Sequence, residues 1–166
     1  MRDLLVNYVT YNLWAHKRIV ERLKQLDPML WVQEQKSSFK SIRKTLLHMY
    51  DAKTNWYKRL NGTSLTSMPS EGFSGTNDET VDLLLAASQM LVDYMSTMTD
   101  ESLSQFCHFK TLAGQEYDIN VSDIILHCMN HSTFHRGQII TMLRNLDIDV
   151  LPSTDYITYV RTHPQA

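Results

Sequence analysis

The 166 residues, 43% hydrophobic and 20% charged, suit one domain spanning 1–166 around a single core that needs no staple. A formal charge of -2 with scattered Lys and Arg gives no basic field for nucleic-acid phosphates, and no window reaches eighteen apolar residues, so neither nucleic acid nor a membrane is expected as a partner. Five glycines and four prolines disfavour an all-β or low-complexity chain; two cysteines and an opening Met-Arg-Asp-Leu-Leu without an apolar export run give the expectation of a reducing cytoplasm.

Taken in chain order, Leu4, Leu5, Tyr8, Tyr11, Leu13, Trp14, Ile19, Val20 and Leu23 recur at helical spacing and predict a first helix from Asp3 to about Leu26, stopped by Asp27-Pro28. Ser37 or Ser38 can cap a second helix running to Leu60, with Asn61-Gly62 as its stop and Ile42, Leu46, Met49, Trp56, Tyr57 and Leu60 as its stripe. The Ser/Gly/Thr-rich stretch from Thr63 to Thr76 reads as a loop. Asn77 or Asp78 caps a third helix lasting to about Thr99. Phe106 to Tyr117 suits a small hairpin turning at Ala113-Gly114, and a fourth helix follows from Val121 to Leu146. The tail from Leu151 packs back over the bundle. The fold class is all-α, a four-helix bundle with a small hairpin or loop between helices three and four.

The chemistry concentrates in the fourth helix, where His127, His131 and His135 follow one another at four-residue spacing. Residues so spaced rise one above another, and two imidazoles on one rigid helix can share a metal ion. At about 100° per residue, Val121, Ile124, Ile125, Cys128, Ser132, Ile139, Met142, Leu143 and Leu146 define the inward stripe. His135 lies near its centre and His131 on its shoulder, so these two are the inward pair; His127, further round, is a rim residue. A third ligand is needed from His16, His48, His108 or His163. His48 is the choice, although it lies over 100° or so from the middle of its helix's apolar stripe, because the face it shares with Thr45, Ala52 and Asn55 could line a wet cleft. His16 is placed near the cleft mouth, Cys128 as a buried small hydrophobe, and the aromatic set Tyr8, Tyr11, Trp14, Trp56 and Tyr57 in the core. Arg136 and Gln138 flank the ligands and remain open between capping, hydrogen bonding to a ligand and substrate contact.

Tyr11-Asn-Leu-Trp-Ala-His-Lys-Arg, Thr45-Leu-Leu-His-Met, Asn130-His-Ser-Thr-Phe-His-Arg-Gly-Gln and Asp155-Tyr-Ile together resemble the DinB family, the YfiT-like group of metal-binding four-helix bundles. The match touches nearly the whole chain, with the His-x-x-x-His-Arg-Gly-Gln core its most specific part. The resemblance implies a divalent metal on His48, His131 and His135. It also implies thiol chemistry, since similar proteins include bacillithiol S-transferases and mycothiol-dependent isomerases. In many members an acidic residue stands five positions after the first histidine; Lys53 stands there here, with Asp51 the nearest carboxylate.

The expected cofactor is one divalent transition metal, zinc or nickel, because an all-imidazole set excludes calcium and magnesium. Its occupancy should fall below about pH 6, as imidazole must be neutral to bind. The expected function is a metal-dependent enzyme, a thiol S-transferase or hydrolase, activating a small thiol or water against an electrophilic small molecule, with Asp51 or Tyr50 relaying the proton. The alternative is a non-catalytic metal-binding or stress-response bundle. In either case a homodimer is expected, and no catalytic residue beyond the ligands is assigned.

Overall fold

The computed structural model describes residues 1–163. Four long helices carry the fold: α1 (Arg2–Leu23), α2 (Ile42–Leu60), α3 (Asn77–Thr97) and α5 (Val121–Asn145). Between the last two lie a one-turn helix α4 (Asp100–Leu103) and an antiparallel hairpin of β1 (Phe106–Lys110) and β2 (Glu116–Asn120), paired from Phe106 with Asn120 to Lys110 with Glu116. A short α6 (Tyr156–Thr162) closes the described chain. Both α1 and α2 pack against α3 and against α5, so α1 faces α2 across the diagonal of a four-helix bundle. Among the described residues no helix is long and apolar enough to cross a membrane.

The helix ends follow local hydrogen bonding, which moves several predicted boundaries. Helix α2 begins at Ile42, later than the expected Ser37 or Ser38, because the Ser41 hydroxyl takes up the Lys44 backbone N–H at 3.2 Å. Residues 32–41 are thereby left outside it. Thr76, rather than Asn77 or Asp78, caps α3 through a reciprocal pair of bonds with Glu79. That helix ends at Thr97, two residues early, because Thr99 caps α4 instead. Helix α1 stops at Leu23, short of Leu26. Gly114 holds φ +84 in the hairpin turn where Ala113-Gly114 was expected, and Gly62 holds φ +74 just past α2.

Two apolar clusters fill the bundle. One, towards the hairpin, holds Leu5, Val9, Leu91, Met95, Phe109, Ile124 and Ile125; the other holds Ile19, Leu23, Ile42, Leu46, Leu84, Ile139 and Leu143. In sequence along α1 and α5 the buried Asn12, His16, Ser132 and Arg136 fall between them, joined from α2 by Lys53. The tail does pack back, as expected: Tyr159 and Tyr156 of α6 lie against Tyr11, and Tyr159 also against Trp14. The aromatic set is therefore split between the core and this cap.

Candidate metal centre

Helices α2 and α5 bring His48, His131 and His135 together. The Nε2 atoms of His48 and His131 are 2.9 Å apart and those of His131 and His135 are 3.1 Å apart. One nitrogen from each of the three lies within 4.8 Å of the others, and among the described residues no fourth His, Cys, Asp or Glu joins them. Two nitrogens of a tetrahedral zinc site are separated by about 3.3 Å, so the two measured gaps are close to what a shared ion requires. His135 is buried and the other two are half-buried; the helical wheel had turned His131 and His135 inward but left His48 off its helix's apolar stripe.

Burial sets the protonation of the set. Desolvation, then the nearby His135, pushes the His48 pKa down to about 4. Desolvation, followed by His135, His48, His127 and Lys53, pushes that of His131 down to about 3. His135 is also lowered by burial, with its bond to Gln138 opposing the shift. All three are therefore neutral at physiological pH and keep a lone pair for an ion. The Oε1 of Gln138 lies 2.8 Å from His135 Nδ1 while its Nε2 donates to Ser38 Oγ at 3.0 Å. A carbonyl oxygen can only accept, so this network puts the hydrogen of His135 on Nδ1 and leaves its Nε2 lone pair facing the other two rings.

The segment before α2 supplies one wall. Phe39 stacks on His48 with centroids 4.0 Å apart and meets His135 edge-on at 5.7 Å. Phe134, largely exposed, packs edge-on against His135. Sequence reasoning missed Phe39 because the helix was begun too early, which would have placed Phe39 inside it.

Other candidates are accounted for. His127 is at the rim, exposed, with its ring 5.8 Å from that of His131 and 5.2 Å from Trp56. His108 sits on the hairpin beside Asp118, and His163 stacks on Tyr159, both outside the triad. His16 is deeply buried rather than at a cleft mouth; the Ser88 hydroxyl, which donates to Leu84 O, leaves His16 Nδ1 as the donor to Ser88, and Arg136 Nη1 approaches Nε2 at 3.4 Å. Cys128 is buried, its thiol pushed up to about 12 by desolvation, and stays a neutral packing group. Asp51 was expected near the proton path, yet its carboxylate accepts from the Ser70 N–H at 2.7 Å and the Ser70 hydroxyl at 2.6 Å. It anchors the loop 61–76 to α2. Thr45 and Asn55, expected to line a wet cleft beside His48, are buried. Lys53, where the resemblance would have an acid, is 2% exposed and donates to Asn12 Oδ1 at 3.2 Å.

A family model described as DinB family matches residues 1–165. Among curated proteins, Protein DinB of Bacillus subtilis (strain 168) is 29% identical over 167 residues, covering 96% of this chain and 95% of its own length. Two solved structures share the fold. A DinB-like protein from Bacillus cereus superposes with a TM-score of 0.67 at 17% identity, covering 87% of this chain and 91% of its own. YfiT from Bacillus subtilis, described as a probable metal-dependent hydrolase with an unusual four-helix bundle topology, gives 0.67 at 14%, with 89% and 90% covered.

Proposed function

The chain belongs to the DinB family, and on that premise we propose that it is a metal-dependent enzyme activating a small thiol, or water, for attack on an electrophile. The observation that carries the reading is the convergence of three neutral imidazoles from two helices, with no fourth donor among the described residues. Such a set suits zinc or nickel and leaves room for an outside ligand. His48, His131 and His135 would hold a divalent ion, which would supply uncompensated positive charge and so lower the pKa of a thiol or water beside it towards neutral. YfiT, with the same fold, is described as a probable metal-dependent hydrolase, which is in keeping with this class.

The protein's own groups do the rest. Gln138 holds the proton of His135 on Nδ1 and so keeps Nε2 turned inward. Phe39 covers one face of His48 and limits water there. His127, a rim imidazole whose pKa is lowered by partial desolvation of its ring against its neighbours and by Arg59, is the group we assign to accept the proton of the incoming nucleophile. A purely structural metal is disfavoured by the two apolar clusters, which close the core on their own.

The test is elemental analysis followed by X-ray absorption on the metal-loaded protein. About one transition-metal ion per chain is expected, in a shell of three imidazoles and a light atom that gains sulfur when a small thiol is added. A shell unchanged by thiol moves the reading to water; no metal uptake after reconstitution at neutral pH overturns it.

A further inference from the structure

Helix α2 carries two buried basic side chains, Lys53 in its middle and Arg59 in its last turn, and α5 a third, Arg136, yet among the described residues none of them is paired with a carboxylate. Arg136 is partnered at both terminal nitrogens, although its Nε, like that of Arg59, is enclosed without a partner: Nη2 donates to the Tyr11 hydroxyl and to Thr133 Oγ1, and Nη1 approaches His16 Nε2. Lys53 donates to Asn12. Arg59 is different. It is 8% exposed, and among the described residues no side chain or carbonyl accepts from it. Its Nε is enclosed without a partner, whereas the two terminal nitrogens, also unpartnered, keep contact with solvent.

What holds Arg59 is a pair of aromatic rings. Its guanidinium carbon lies 4.4 Å from the Trp56 centroid and 4.4 Å from that of Phe109. Those contacts cover the faces of the guanidinium and leave its edge, where the N–H groups point, without a protein acceptor among the described residues and with its terminal nitrogens open to solvent. The enclosed Nε–H is costly to leave unpartnered, while the two terminal nitrogens, in contact with solvent, can exchange water for a ligand. The guanidinium is also well suited to the planar fork of a carboxylate, because the two rings have already removed most of its rotamer freedom.

The location joins this group to the metal centre. Side chains on a helix lean towards its N-terminus, so Arg59 reaches back along α2 in the direction of His48. Trp56, under Arg59, packs against His127, and His127 against His131. Along α2, Arg59 and His48 are separated by about three turns, or roughly 16 Å. We propose that Arg59 is a carboxylate-binding subsite of the α2/α5 seam, and that it holds the far, anionic end of a small molecule whose other end reaches the histidine triad. The second half rests on the reading of the triad as the site of thiol activation; the first half does not. The seam then selects thiols that carry a distant carboxylate over neutral ones, by attraction to a fixed positive group.

Two measurements separate the halves. Arginine side-chain 15N NMR on the metal-loaded protein, with Arg59 Nε–H assigned through Arg59→Lys, is titrated with acetate against sodium chloride at equal ionic strength. A saturable acetate shift of Arg59, beyond that given by chloride, is expected; equal responses overturn the subsite. Cobalt-loaded protein is then titrated with glutathione, which has carboxylates, and with 2-mercaptoethanol, which has none, following the sulfur-to-cobalt absorption. Arg59→Met should weaken glutathione about tenfold, a loss of about 1.4 kcal/mol, and leave 2-mercaptoethanol and cobalt affinity unchanged. Equal weakening of both thiols, or of neither, overturns the link between the two ends. If neither thiol alters the cobalt spectrum, thiol activation fails and the link with it, while the acetate titration still decides the subsite.

Discussion

Each imidazole of the triad competes between a proton and a metal ion, and its burial decides the pH at which that competition begins. A free histidine titrates near 6.5, and on that basis the sequence points to loss of metal below about pH 6. Desolvation and mutual repulsion lower His48 to about 4 and His131 to about 3, and His135 in the same direction. The lone pairs therefore stay available well below pH 6. The sign for stability is opposite in feel but consistent. These folded-state values are depressed, so as pH falls through 6.5 the unfolded chain takes up protons first, and the metal-free protein loses stability down to about pH 3, the lower of the two values. Metal occupancy, measured by elemental analysis after equilibration at stepped pH, should stay nearly full to about pH 5 and drop towards pH 4. Half-release near 6.5 would mean that the three histidines titrate as if in water. The inward pair His131 and His135 was legible from the helical wheel. The size of the shift was not, since it comes from neighbours on another helix.

At the scale of elements, the segment before α2 matters more to the site than the long loop after it. Three serines, Ser37, Ser38 and Ser41, could each cap the helix by type, and sequence alone does not rank them. The chain uses Ser41, which frees Ser38 to meet Gln138 and lets Phe39 lie on His48. Gln138 thus ties that segment to α5 and orients His135 in one interaction. Groups that orient a metal-bound histidine typically account for about 10–100-fold in metal affinity. Gln138→Leu should therefore weaken zinc binding at least about tenfold in competition with a chromophoric chelator, without changing helicity by circular dichroism. Gln138→Glu, which retains an acceptor for Nδ1–H, should keep the affinity. Unchanged binding in Gln138→Leu would show that Phe39 packing alone orients the ring. His48 was readable only as a candidate, because its position off the apolar stripe becomes inward-facing only when α2 meets α5 on that side.

Across the whole molecule, a polar layer interrupts the apolar core, and Lys53 is its most unusual member. Nothing in the local sequence announces a buried lysine, since its neighbours Ala52 and Thr54 would suit a solvated face as well. Burial lowers its pKa from 10.5 to about 7, with Arg136 adding to the shift and Cys128 opposing it. The unfolded chain holds that proton up to about pH 10 while the folded chain has largely released it, so stability should rise as pH goes from 7 to 10. At pH 7 the mismatch amounts to a destabilisation on the order of 4 kcal/mol. Replacing Lys53 with Met keeps the apolar stem's volume, removes the ammonium group and leaves Asn12 Oδ1 without its donor, a loss of about 1–3 kcal/mol. The net change in Lys53→Met should be a gain of roughly 1–3 kcal/mol in chemical denaturation at pH 7. The rise in stability between pH 7 and 10 should flatten in the same variant. That slope is the decisive readout, because a simple packing gain would raise the curve at every pH alike. A variant that is less stable than wild type at pH 7, or that keeps the full slope, would mean that Lys53 remains charged in the fold and draws compensation from the layer around it.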